Sequence, residues 1–281
     1  VLKQRGKLYE KDGALWLKST DYGDDKDRVV IRDNGVPTYL AADIAYHKNK
    51  YDRGFGSLIN IWGADHHGYV ARVKAAMAAL GYDPEKLEIL LLQMVSLFRD
   101  GKPVKMSKRT GQAITLNELI EEVGADAARY FFIMRSLDTQ LDFDLDLAKS
   151  HSNENPVYYI QYAHARIYSI YRQVQEAGDA LDMNWADVQW DKLKDEQELE
   201  LIKKMAAFPE EIQRAARERA PHRIAHFAHE LAGLFHTFYN HCRIIQEDKE
   251  LEKARLALVT AVRITIANSL AILGVSAPEK M

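Results

Sequence analysis

Lys105-Met106-Ser107-Lys108-Arg109-Thr110-Gly111 divides this chain into two halves of different character. Three cations fall within five residues, separated by one apolar side chain and one small hydroxyl. Before them stands Arg99-Asp100-Gly101-Lys102-Pro103, a turn signal of Asp-Gly followed by Pro. After them Thr115-Leu116-Asn117-Glu118-Leu119 reads as a helix start, with Thr115 as cap and Glu118 three residues on, as in a capping box. The cations are therefore expected on a loop between a turn and a helix. Closely spaced lysines there suit a polyphosphate, because an ammonium is a compact point charge that can answer charge shifting during a reaction. The plainer alternative is a solvated basic loop.

Upstream, Gly13-Ala14-Leu15-Trp16-Leu17-Lys18 and Val29-Val30-Ile31-Arg32 read as short strands beside the hairpin punctuation of Lys11-Asp12 and Asp33-Asn34-Gly35. Thr38 can cap a helix in which Tyr39 and Asp43, four apart, share a face. Ser57-Leu58-Ile59-Asn60-Ile61-Trp62 is an apolar run ending in Gly63, the profile of a buried parallel strand. Gly63-Ala64-Asp65-His66-His67-Gly68 then leads into a helix over residues 69–80, closed by Gly81. Glu88-Ile89-Leu90-Leu91-Leu92-Gln93-Met94-Val95 is a second apolar run. Strand, helix, strand and loop predict the later half of an open α/β sheet, where ligands sit at the carboxyl ends of the strands. Both the Asp65-His66-His67 turn and the Lys105 loop are expected at such ends.

Downstream the strand signal fades. Helices are expected at 116–123, 125–136 and 144–150, with Asp142, Asp144 and Asp146 alternating between Leu141, Phe143, Leu145 and Leu147. After Asn155-Pro156 a long helix buries Val157, Ile160, Gln161, His164, Ile167, Tyr168, Tyr171 and Val174 and ends at Gly178. A loop with Trp185 and Trp190 precedes helices over 195–218, 221–247 and 250–273. Ile224, Phe227, Leu231, Leu234, Phe238 and Ile245 mark one core stripe; Leu258, Val262, Ile266, Leu270 and Leu273 mark another. The fold class expected is thus α/β then all-α, a helical bundle following the half-sheet.

A length of 281 residues allows two domains, and 47% hydrophobic content excludes wholesale disorder. No uninterrupted apolar run reaches the roughly 18–20 residues of a membrane span, so no membrane partner is expected. Val1 at the start fits a piece cut from a longer protein. Cys242, the single cysteine, excludes an internal disulfide and a thiolate zinc site, which favours a cytoplasmic setting. With 38 basic and 41 acidic residues the net charge is −3, so no global basic field advertises nucleic acid. From His151 onward 16 basic residues face 19 acidic ones, so any RNA contact has to be local.

Four pieces in order resemble one family. Lys105-Met106-Ser107-Lys108-Arg109 resembles the Lys-Met-Ser-Lys-Ser loop of class I aminoacyl-tRNA synthetases, departing from it only at Arg109. Asp126-Ala127-Ala128-Arg129 resembles the Asp-Ala-Leu-Arg pattern that opens the helical anticodon-binding domain of a subset of them. Asn155-Pro156-Val157-Tyr158-Tyr159-Ile160-Gln161-Tyr162-Ala163-His164-Ala165-Arg166 is similar to the first bundle helix of arginyl-tRNA synthetases. Tyr39 and Asp43, with the Gly63–Gly68 turn, resemble the amino-acid pocket region of those enzymes. The sequence contains no His-Ile-Gly-His motif, so the resemblance is to the C-terminal half of such an enzyme. That implies domains over 1–114 (catalytic), 115–150 (connector) and 151–281 (anticodon-binding), and a chain inactive in adenylation by itself.

The resemblance implies arginine–tRNA ligase chemistry: arginine joined to ATP as an adenylate, then passed to tRNA(Arg). ATP enters as substrate with Mg2+ and no resident metal site is expected. The first step is in-line displacement at the α-phosphate, so positioning and charge neutralisation dominate. Lys105, Ser107 and Lys108 are the implied catalytic residues, and Met106, Gly63, Asp65, Met94 and Val95 join them around ATP. A buried carboxylate should meet the arginine guanidinium with paired hydrogen bonds; Asp43 is the candidate, flanked by Tyr39 and His66, unless it pairs with Arg72 instead. A metal held by His66-His67 is not expected, since adjacent turn residues seldom face one ion. In the bundle, Tyr158, Tyr162 and Tyr239 could stack anticodon bases, with Arg166, Arg219 and Arg223 on phosphates. Arg214, Arg217 and His222 lie in the same basic stretch, which reads equally as a solvated face paired with Glu210, Glu211 and Glu218. His222, His226 and His229 share a helix face, where solvent exposure or a core hydrogen bond is the usual fate. A monomer is expected. The alternatives are a free-standing tRNA-binding module and a piece of another class I synthetase with the same helical domain.

Overall fold

A computed structural model of the chain describes residues 1–104, 114–177 and 185–281, which form two compact units. The first comprises Val1–Met94 with Leu137–Gln140. In it β1 (Leu8–Lys11), β2 (Ala14–Leu17) and β3 (Arg28–Ile31) make an antiparallel sheet in that order. Asp12 and Gly13 turn the first hairpin at φ 54° and 74°, the left-handed conformation that Asp-Gly supplies. Helix α1 (Tyr39–Asp52) starts at Thr38, whose hydroxyl accepts the Ala41 N–H and donates to the Val29 carbonyl at 3.0 Å. The cap thereby fastens the helix to β3.

Strands β4 (Leu58–Gly63) and β5 (Leu87–Leu92) pair in parallel from Leu58 opposite Leu87 to Gly63 opposite Leu92. Helix α2 (Val70–Leu80) connects them and ends at Gly81, φ 89°. Leu58 and Leu87 join Leu17, Val30, Leu40, Ile44, Val73 and Met77 in this unit's core. The strand is buried on one face only: Ile59 is 45% and Ile61 64% exposed. The expected parallel strand is present, with Leu58 and Asn60 buried on one face and Ile59 and Ile61 exposed on the other.

The second unit comprises Val95–Ser136 and Leu141–Met281. Strand β6 (Val95–Arg99) pairs antiparallel with β7 (Lys102–Pro103) around Asp100-Gly101, φ 52° and 68°. Thr115 and Glu118 form the expected capping box at the start of α3 (Leu116–Val123), which α4 (Ala125–Ile133) follows. Next, β8 (Leu141–Asp144) pairs in parallel with β6. No strand was expected there, although the alternation of Asp142 and Asp144 with Leu141 and Phe143 has the period of two that a strand requires. Leu141 and Phe143 point into the core, 5% and 0% exposed.

After α5 (Leu145–Lys149), Asn155 caps α6 (Pro156–Glu176) by accepting from the Val157 and Tyr158 N–H groups. Its buried amide also donates to the Ala148 and Ser150 carbonyls, so one side chain joins the two helices. The single helix expected over 195–218 is two, α7 (Glu196–Ala206) and α8 (Phe208–Glu218). Pro209 has no N–H for the Met205 carbonyl, and the ladder breaks there. Helix α9 (His222–His241) is shorter than expected, because Cys242 turns extended; α10 (Lys249–Leu273) completes the bundle. The expected stripe of α10, from Leu258 to Leu273, is at most 1% exposed. By length and composition this helix would reach across a bilayer, unlike the expectation from uninterrupted runs, and 56% of its most apolar window is buried in the bundle.

The two compact units divide the chain by packing. The bounds at 114 and 150 divide it by motif, a different criterion.

Candidate functional site

At the carboxyl ends of β4 and β5 lie Gly63, Asp65, His66 and Met94, and Tyr69 joins Asp43 to them. Asp43, one turn into α1 and half-buried, accepts a hydrogen bond from the Tyr69 hydroxyl at 2.7 Å. No cation pairs with Asp43 among the described residues. Arg72 instead lies over the Tyr69 ring, its guanidinium carbon 4.9 Å from the centroid. Burial, and then the Asp43 carboxylate, push the Tyr69 hydroxyl well above its ordinary pKa, so it remains a donor at any physiological pH. Asp43 is thus held by a neutral donor, with no ion pair to it among the described residues. A planar cation with two parallel donors suits such a group.

Behind Asp43, buried His47 sits between two fixed groups. Its Nδ1 lies 2.7 Å from the Asp43 carbonyl, which can only accept, so Nδ1 carries the proton. Nε2 then accepts from the Asn60 amide at 2.7 Å. This relay ties α1 to β4 and fixes the backbone that carries Asp43. It escaped the sequence reading, since nothing local marks His47 and Asn60 as partners.

Gly63 ends β4, and a Cβ there would lie 2.5 Å from Asp65 Oδ1. The bare backbone lets the Asp65 carboxylate fold back over the strand end. Asp65 is exposed and stands 3.7 Å from His66 Nε2, while the His66 ring is 6.3 Å from Trp62. Met94, just past β5, is 72% exposed, and Val95 opens β6 in the second unit. Tyr39 is 88% exposed, so its ring stands in solvent rather than against Asp43. Lys105, Met106, Ser107 and Lys108 lie outside the described residues. Among the described residues no group of three His, Cys, Asp or Glu is placed to hold a metal.

The bundle carries a second constellation. Tyr158 and Tyr162, one helical turn apart on α6, stack with centroids 6.0 Å apart and planes 7° from parallel. His151 stacks on Tyr158 at 5.6 Å, and His236 of α9 on Tyr162 at 5.9 Å. Arg166 donates to the Tyr162 hydroxyl at 2.6 Å and lies 4.6 Å over the Tyr162 ring and 4.8 Å over that of Tyr239. Tyr158, Tyr162, His151, His236 and the Arg166 guanidinium line an open pocket of about 530 Å³ together with Asn153 and Asn240. A ladder of flat rings beside an arginine is a surface on which unpaired bases stack. His236 was findable: it lies seven residues after His229, two turns along the same helix face.

Arg219 and Arg223 do not join this surface. Arg223 pairs with Glu211 at 2.7 Å and lines a separate pocket with Lys204, His222 and His226. Arg219, at φ 53°, caps α8 and donates to the Ala216 carbonyl at 3.0 Å. Arg214 pairs with Glu218 at 2.9 Å. His226 donates to the Met134 carbonyl at 3.0 Å.

In comparison with known proteins, Asp43 and its neighbours lie in one matched region and Tyr162, Arg166, His236 and Tyr239 in another, with His151 and Tyr158 between the two. The family model described as tRNA synthetases class I (R), catalytic domain, matches residues 1–136, and that described as DALR anticodon binding domain matches 160–281. An arginine–tRNA ligase of Carboxydothermus hydrogenoformans is 62% identical over all of this chain and 50% of its own length. A structure described as an arginyl tRNA synthetase from Campylobacter jejuni aligns with TM-score 0.90 at 42% identity, covering 100% of this chain and 60% of that one. The Thermus thermophilus arginyl-tRNA synthetase aligns with TM-score 0.82 at 25% identity, covering 100% and 57%. The chain spans about half the length of the curated relatives it matches.

Proposed function

The chain belongs to the class I tRNA synthetases of the arginine type, and on that premise we propose that it works as part of an arginine–tRNA ligase. In this reading Asp43 receives the guanidinium of arginine. Lys105 and Lys108 neutralise the pyrophosphate of ATP, which enters with Mg2+, and Ser107 and Met106 complete that loop. Gly63, Asp65 and His66 border the substrate at the end of β4, and Met94 and Val95 offer backbone groups to adenine. Tyr158, Tyr162, Arg166 and Tyr239 meet unpaired bases of tRNA(Arg), with Arg219 and Arg223 on a separate face nearer to phosphates. The domain bounds at 114 and 150, a monomeric state and a cytoplasmic location belong to the same proposal.

The observation that carries it is Asp43, half-buried and held by a neutral hydroxyl with no cation paired to it among the described residues. A carboxylate so placed is poised for a cationic ligand, and in a half-buried site the paired charge-assisted bonds are worth about 1.5–3 kcal/mol. The test is arginine-dependent ATP–pyrophosphate exchange in the full-length protein carrying Asp43→Asn. Arginine should bind roughly ten- to hundredfold more weakly, with the KM for ATP little changed. An unchanged arginine KM would remove Asp43 from the pocket.

The stacked ladder supports a second reading, a tRNA-binding module without activation chemistry. Binding of tRNA with no exchange in the full-length protein would favour it.

A further inference from the structure

The segment after α10 is held by side chains of two other helices, α4 and α6. Gly274 turns it at φ 68°. A Cβ at that position would lie 2.4 Å from Arg129 Nε, which donates to the Leu273 carbonyl at 2.7 Å. Arg129 thus closes the carboxyl end of α10 from the side. Asp126, one turn earlier on α4, accepts the Ser276 N–H on Oδ1 at 3.1 Å and the Ser276 hydroxyl on Oδ2. Gln161 of α6 donates to the same Oδ2 at 2.9 Å and to the Ser276 carbonyl at 3.0 Å. His164, 2% exposed, donates from Nδ1 to the Pro278 carbonyl at 2.8 Å. Between these polar ties Val275 is buried and Ala277 packs on the core.

Four side chains from α4 and α6 therefore bind backbone groups 114–150 residues away in the chain. Two of them, Asp126 and Arg129, are the charged ends of the Asp-Ala-Ala-Arg motif. What they hold ends beside the aromatic ladder. Lys280 and Met281 line a pocket of about 440 Å³ with Tyr162, Arg166 and Tyr239. Met281 also borders a second pocket, shared with Asp126, Gln161 and Tyr158.

We propose that Asp126, Arg129, Gln161 and His164 form a latch that fixes segment 274–281, and that the latch sets Lys280 and Met281 as one wall of the surface that receives RNA. The four are positioning residues: they touch the segment, and the segment touches the ligand. The RNA half of this proposal rests on the reading given under the proposed function, whereas the latch itself rests on hydrogen bonds alone.

The experiment uses the full-length protein, its Asp126→Ala variant and Ser276→Thr, which keeps both Ser276 donors. Amide exchange of the peptide spanning 274–281 is followed beside thermal midpoint and the dissociation constant for tRNA(Arg). Asp126→Ala should speed exchange in that peptide by about tenfold or more per lost bond and weaken tRNA binding several-fold. The KM for arginine should be untouched and the thermal midpoint shifted by only a few degrees; Ser276→Thr should leave all four readings at their original values. Unchanged exchange in Asp126→Ala overturns the latch. Faster exchange with unchanged tRNA affinity overturns its positioning role. If the unsubstituted protein binds no tRNA, the RNA reading fails and takes that role with it, while the exchange result still decides the latch.

Discussion

Tyr69 donates its hydroxyl to Asp43 across 2.7 Å and so joins the start of α2 to the first turns of α1, 26 residues earlier. The phenol is forced to remain neutral by burial and by the carboxylate it faces. Removing the oxygen in Tyr69→Phe keeps the ring beneath Arg72 and leaves a half-buried carboxylate short of a donor. The expected loss is about 1–2 kcal/mol, read as a lower urea midpoint with an unchanged slope. No change in midpoint would mean that water replaces the phenol at no cost.

Lys108→Ala in the full-length enzyme should lower kcat by two orders of magnitude or so, with KM for ATP and arginine almost unmoved. An ammonium that strengthens its contact only as pyrophosphate charge develops acts on the transition state and not on the ground state. A kcat equal to that of the unsubstituted enzyme would take Lys108 out of the chemistry.

Cys242 is 4% exposed, and burial, reinforced by nearby Asp195, raises its thiol to about 11. At pH 8 it should react with a thiol-modifying disulfide at least about a hundredfold more slowly in the folded protein than in denaturant, since only the thiolate attacks. Rapid labelling of the native protein would show that α9 opens at its carboxyl end.

His164, His229 and His236 are all held below the ordinary histidine value, each chiefly by burial; Arg263 adds to the effect on His164 and Arg166 to that on His236. The unfolded chain therefore binds more protons than the folded one as pH drops through about 6.5. Stability should be full above that value and decline as pH falls from it towards the folded values. Urea midpoints at pH 7.5 and 5.5 check this for the bundle, and His164→Gln should flatten the difference. An equal midpoint at both values would show that these rings remain solvated.

The helices were legible because their signals are local. Thr38, Thr115 and Asn155 cap from within three residues, and the stripe from Leu258 to Leu273 repeats at the helical period. Strand β8 was missed because its four residues precede a helix start directly, so acidic residues of both elements merged into one run. The break at Pro209 needed only the missing N–H to be weighed against an otherwise unbroken pattern. Within the candidate site, Asp43 and Gly63 were singled out by type and place. Their neighbours Tyr69, His47 and Asn60 were not, because hydrogen bonds spanning 13 and 26 residues leave no periodic trace. The same holds for Asp126 and Arg129: the motif was visible, whereas its partners at Ser276 and Leu273 lie beyond any window of the sequence.

The one-sided burial of β4 has a practical, colloidal consequence. Ile59 and Ile61 present branched apolar surface to water on a two-stranded sheet whose outer edges have no strand beside them among the described residues. Excluded salts such as sulfate raise the free energy of exposed apolar surface most steeply, and unpaired strand edges invite self-association. A solution of this chain should therefore precipitate early in an ammonium sulfate series, and a charged residue in place of Ile61 should move that cut upward without touching the Asp43 cleft.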